Sequence, residues 1–169
     1  MAGSFKELFS KPLPETPYYI ENGVLAKGGI MLMGGESKIG KSFLSLALAH
    51  DVASGTPLWG LEKFVIPAPV PVLYVEAELG PYALQTRIKQ RYEALGVDPP
   101  EGLFYVSKPR GWLLDTSEGI AKLSGEIAAT GARVVIIDPV SRFVLGDENS
   151  NTDMNRLFGQ FNELMVRYP

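Results

Sequence analysis

The chain has 169 residues, enough for one domain with a real core, and 46% of them are hydrophobic. A net charge of −3 gives no global electrostatic case for nucleic-acid binding, and the absence of cysteine excludes disulfides, zinc–thiolate sites and thiol catalysis. No apolar run approaches a membrane span and no signal-peptide core opens the chain, so a cytoplasmic address with no membrane partner is expected.

Residues 1–17 hold Pro12, Pro14 and Pro17 among polar residues and predict an extended N-terminal arm. Within it Phe5, Leu8 and Phe9 read either as a frayed end or as one short helical turn that docks on a neighbour. Tyr18-Tyr19-Ile20 and Val24-Leu25 flank Asn22-Gly23, a turn signal, and Lys27-Gly28-Gly29 is a second turn. Ile30-Met31-Leu32-Met33 predicts a short buried strand. It leads into Gly35-Glu36-Ser37-Lys38-Ile39-Gly40-Lys41-Ser42, a glycine, four free positions, then Gly-Lys-Ser.

Chemistry explains these residue types. Glycines let the backbone fold into a nest whose N–H groups face phosphate oxygens, Lys41 adds a point charge, and the Ser42 hydroxyl can ligate Mg²⁺. The loop must open a helix, so that the helix N-terminus also faces the anion. Phe43 to Ser54 supplies that helix, apolar nearly all round and stopped by Gly55. His50, the only histidine, reads as a partly exposed helical residue, since no second histidine or cysteine can join it in catalysis.

Residues 55–70, with Pro57, Gly60, Pro67 and Pro69, form a connector pinned by Trp59 and Phe64. Pro71 to Ala77 predicts a strand, its continuous apolar run suited to a parallel sheet covered on both faces. Pro81 opens a helix that reaches about Leu95, closed by Gly96 and Asp98-Pro99-Pro100. Leu103 to Val106 is a third strand. Asp115 and Glu118 form a capping box for a helix over about Thr116–Ala129, stopped by Gly131. Arg133 to Asp138 is the clearest strand. Asn151 or Thr152 caps a last helix in which Met154, Leu157, Phe158, Phe161, Leu164 and Met165 recur at helical spacing as core. Strands alternating with helices predict an α/β class with a mainly parallel sheet.

Two carboxylates complete a candidate hydrolytic site. Asp138 ends a run of four β-branched residues, which buries the strand and delivers the carboxylate to the crevice at its C-terminal end. Alone such an aspartate is as readily a turn residue; beside a phosphate loop it reads as the Mg²⁺ carboxylate. Glu78, beyond the second strand, is placed to reach a water past the γ-phosphate, with Glu76 in support. The competing reading of Glu78 is a favourable charge at the N-terminus of the helix near Pro81.

Together, Gly34 to Ser42, Val72-Leu73-Tyr74-Val75-Glu76-Ala77-Glu78 and Ile137-Asp138-Pro139-Val140-Ser141-Arg142-Phe143 resemble the RecA-like P-loop ATPases. Within them the chain is most similar to the RepA-type branch of hexameric replicative helicases, and the run Gly146 to Asn151 matches it too. The resemblance covers about residues 18–169 and implies a RecA-like ATPase domain that binds ATP with Mg²⁺. The loop from Gly35 to Phe43 would cradle nucleotide. Lys41, Glu78 and Asp138 would be catalytic, and Ser42 and Asp138 would hold the metal. Arg87 and Arg142 match basic positions near the phosphates of similar proteins, and read equally as solvated charges. Lys38 is an extra cation for a phosphate or a neighbouring subunit.

A homo-oligomeric ring acting on single-stranded DNA is implied for the complete protein. The alternatives are a regulatory nucleotide-binding module and a small-molecule kinase, the latter disfavoured because no acceptor pocket or lid arginines can be located. The family pattern continues with a sensor strand and an arginine finger that do not occur before Pro169. In RecA-like sheets a strand following Asp138 in sequence lies between the strand bearing the phosphate loop and the Asp138 strand. The chain is therefore expected to be the first part of a longer protein. The gap should show as Met31–Met33 unpaired with Val135–Ile137.

Overall fold

The computed structural model describes residues 4–12, 17–146 and 150–168. Pro14 of the arm, Asp147, Glu148 and Asn149 of the run after Asp138, and Pro169 lie outside them. A three-stranded parallel sheet has β3 (Val72–Glu76) in the middle, β4 (Leu103–Ser107) on one side and β5 (Val134–Asp138) on the other. A small antiparallel pair, β1 (Tyr18–Ile20) and β2 (Leu25–Ala26), precedes it, with Asn22 and Gly23 in the left-handed region at the turn. The helices are α1 (Phe5–Ser10), α2 (Lys41–Ser54), α3 (Pro81–Leu95), α4 (Ser117–Thr130) and α5 (Asn151–Arg167).

Side chains alternate across the middle strand, and this divides the core in two. Val72 and Tyr74 face α2, packing with Leu46, Ala49 and Val52 and with Ile20 of β1. Leu73 and Val75 face the other way, onto Leu123 and Ile127 of α4 and Leu157 and Leu164 of α5. All five residues of β3 are buried, as a run without polar alternation requires. The register is in phase, with Glu76 opposite both Ser107 and Asp138, so the strand ends meet along one edge.

Several elements differ from the sequence reading. The arm is helical over Phe5–Ser10, because Ser4 and Glu7 form a reciprocal capping box that satisfies two free N–H groups. Phe5, Leu8 and Phe9 remain exposed on it. The strand expected over Ile30–Met33 does not form. Ile30 and Leu32 are 42% and 67% exposed, and β5 pairs with β3 alone among the described strands. Strand geometry needs a ladder partner, and no strand among the described residues pairs with this segment.

The cap of α4 is also corrected. Thr116, rather than Asp115, receives a backbone N–H, from Gly119 at 3.1 Å. A Cβ on Gly119 would lie 2.0 Å from the Leu113 carbonyl, so this first turn presses on the backbone before it and the helix frame is set by that contact. Asp115 is instead buried, its Oδ2 accepting the Leu145 N–H and the Arg156 guanidinium, each at 3.1 Å. It ties the segment after β5 to α5. Glu118 pairs with Lys122 at 2.8 Å. The cap of α5 is Ser150, one residue before the expected start.

His50 sits half-buried on α2, with its Nδ1 3.1 Å from the Tyr92 hydroxyl of α3 and its Nε2 3.5 Å from Ser54 Oγ. Burial lowers its pKa; Asp51 opposes this and Arg91 adds to it. The unfolded chain therefore takes up the proton first. The stability from neutral His50 is complete above about pH 6.5 and is lost as pH falls toward the folded value. Urea midpoints of the parent should fall between about pH 7.5 and pH 5.5, and His50→Gln should flatten that slope. An identical slope in the variant would mean that His50 is not linked to folding.

Candidate nucleotide-binding site

The phosphate-loop sequence bends as its glycines require. Gly35 has φ 155°, and a Cβ there would meet Ile39 Cδ1 at 2.6 Å. Gly40 is left-handed at φ 96° and starts α2, its carbonyl accepting the N–H groups of Phe43 and Leu44. Lys38 also adopts positive φ, at 67°. No side chain caps the N-terminus of α2. The free N–H groups of that first turn are thus available to an anion. Lys41 curls back over the loop, its Nζ donating to the carbonyls of Gly35 at 2.8 Å and Glu36 at 2.6 Å. The ammonium thus sits against the carbonyls of the first two loop residues.

Asp138 is tied to this loop through α2. Its Oδ2 accepts the Tyr74 hydroxyl at 2.5 Å and the Ser45 hydroxyl at 3.0 Å. Ser45 lies one turn beyond Ser42 and reaches the Ser42 carbonyl at 3.1 Å. Burial chiefly, and then the hydrogen bond to Asp138, push the Tyr74 phenol far above its ordinary pKa, so it remains a donor. Neither Tyr74 nor Ser45 was singled out in the sequence. The available signal was a tyrosine inside a fully apolar strand, since a buried phenol needs a partner.

The two glutamates separate into different tasks. Glu76 is 2% exposed, and its Oε1 accepts the N–H groups of Glu78 at 2.6 Å and Leu79 at 2.9 Å. It shapes the turn after β3. Glu78 projects half-free from that turn and accepts from Arg142 Nε at 3.2 Å. Arg142 comes from the short turn Val140–Phe143 after β5, and with Lys108 and Ala77 it lines a cleft around Glu78. Arg87 of α3 stands 5.0 Å from the centre of the Phe43 ring, beside the first turn of α2. The fold thus gathers two sets. Lys41, Ser42, Phe43 and Arg87 surround the loop, while Glu78 and Arg142 pair beyond the ends of β3 and β5.

Among the described residues no group of three or more His, Cys, Asp or Glu can hold a metal ion. The donors at the loop are one hydroxyl, Ser42, and one carboxylate, Asp138. Such a sparse, hard-oxygen set fits Mg²⁺ that arrives with phosphates and water rather than a resident ion in a protein cage.

A glycine-rich loop opening a helix beneath a parallel sheet, with an aspartate at the end of another strand, defines a P-loop nucleotide-binding protein. A family model described as an AAA domain matches residues 3–168. The chain belongs to that family, AAA_25, whose members are P-loop ATPases. No helix among the described residues is long and apolar enough to cross a membrane.

Proposed function

We propose that the chain binds Mg²⁺–ATP on the loop Gly35–Ser42 and hydrolyses it, as the ATPase domain of a ring of identical copies coupled to DNA unwinding or replication. The observation that carries the reading is the in-register ending of β3 and β5, which sets Glu76 opposite Asp138 with Glu78 in the turn just beyond, while Asp138 bonds Ser45 on the helix that the phosphate loop opens. Lys41 exchanges its two carbonyl partners for phosphate oxygens. Ser42 and Asp138 would hold Mg²⁺, which when bound supplies charge neutralisation for the phosphates. Glu78 orients the attacking water and accepts its proton, while Arg142 holds that carboxylate aimed into the cleft. Arg87 supports the nucleotide from the Phe43 side.

A second reading is a nucleotide-driven switch that recruits partners without moving along DNA, which the net charge of −3 favours. ATP turnover of the complete protein, measured with and without single-stranded DNA across a salt series, separates the two. Stimulation that weakens with salt is the expected result for the motor. A flat response across DNA sequences and salt assigns the switch.

A further inference from the structure

We propose that Tyr74 is the residue that positions Asp138 for the metal, a role that rests on the ATPase reading above. The argument concerns one proton and one oxygen. Tyr74 Oη, Ser45 Oγ and Asp138 Oδ2 form a triangle with sides of 2.5, 3.0 and 3.0 Å. Ser45 has a single hydroxyl proton, and three acceptors lie within its reach: Asp138 Oδ2, the Tyr74 hydroxyl and the Ser42 carbonyl. Tyr74 has two acceptors in reach, Asp138 Oδ2 at 2.5 Å and Ser45 Oγ at 3.0 Å, and the carboxylate is both the nearer and the charged one. Its ring is 2% exposed and locked in the core between β3 and α2, so the hydroxyl has little freedom to turn elsewhere.

Both donors converge on Oδ2, and no hydrogen bond engages Oδ1 among the described residues. The carboxylate is therefore held by one oxygen with the other left for the metal and its water. This is how a supporting hydrogen bond orients a metal-binding carboxylate, and its loss typically costs about 10–100-fold in metal affinity. Tyr74 also lies on β3, whose C-terminal turn carries Glu78. One strand and the turn it ends in thus supply both the support for Asp138 and the water-orienting glutamate.

The test uses the complete chain and a fluorescent ATP analogue. Tyr74→Phe keeps the ring and removes only the donor. Its affinity for the analogue in EDTA should match the parent, while the Mg²⁺ concentration at half-maximal binding should rise about tenfold. Ser45→Ala should move that midpoint less, because its proton is shared. A difference Raman spectrum, parent minus Tyr74→Phe, should show the tyrosine doublet of a strong donor, a signature that packing alone does not produce. A parent-like Mg²⁺ midpoint in folded Tyr74→Phe, or a doublet of an acceptor phenol, overturns the proposal while leaving the ATPase reading intact. A parent that binds the analogue equally with and without Mg²⁺ overturns both. Should Tyr74→Phe fail to fold, fluorotyrosine at position 74 keeps the hydroxyl. Its fluorine resonance must then move when Mg²⁺ joins the nucleotide-loaded protein, and an unmoved resonance overturns the proposal.

Discussion

Lys41→Ala is expected to weaken ATP binding by about 30-fold or more, the largest effect of any single change on affinity. Removing one partner of a close charge pair costs about 2–5 kcal/mol, at about 1.4 kcal/mol per tenfold. Two loop carbonyls hold the Lys41 ammonium over the loop, and on the proposed reading phosphate oxygens take their place. The folded state should be little affected, because the side chain belongs to neither core cluster. Lys41→Arg should recover little, since a planar fork does not reproduce a compact charge inside a nest of N–H groups. Calorimetric titration with a non-hydrolysable analogue reads the affinity, and thermal unfolding checks the fold. Parent affinity in a folded Lys41→Ala protein would remove the loop from nucleotide binding.

What was legible in the sequence divides along physical lines. The strands β3, β4 and β5 were readable because each is a short apolar run bounded by turn residues. The ends of α2, α3 and α4 were readable too, since Gly55, Gly96 and Gly131 all take left-handed backbone angles. Local signals sufficed there. The strand at Ile30–Met33 failed because a ladder is a property of two segments, and apolarity in one does not supply the other. Asp115 was misread for a similar reason. Its spacing to Glu118 is that of a capping box, but its partners, Leu145 and Arg156, lie far along the chain. Ser4 and Glu7 carried the same local signature and did form the box, where nothing distant competes.

The candidate site shows the same division. The loop and Asp138 were recognisable by residue type and spacing. The network that joins them was not, because Tyr74 and Ser45 are separated from Asp138 by 64 and 93 positions. Position along the chain favours Glu78 over Glu76 for the water, but it does not show what Glu76 does: buried, it is an acceptor for the backbone of its own turn.

That division makes the two glutamates a paired test. Glu78→Gln should bind ATP like the parent and turn it over about 10²–10⁴-fold more slowly, the usual range for a general base. The amide keeps the shape but cannot take a proton, and it gives up the ion pair with Arg142. That pair is exposed at both ends, so its loss should barely change stability. Glu76→Ala should behave in the opposite sense. It removes a buried acceptor from two backbone N–H groups, each bond to a charged group worth about 1.5–3 kcal/mol, and should lower the unfolding midpoint clearly. Turnover would then fall through disorder of the turn, with a matching loss in stability. Single-turnover kinetics and urea unfolding on both variants distinguish the roles. Parent turnover in Glu78→Gln, together with a fully stable but inactive Glu76→Gln, would transfer the water to Glu76. The arrangement argues otherwise, because Glu76 is 2% exposed with one carboxylate oxygen already taken by two N–H groups, whereas Glu78 projects half-free into the cleft.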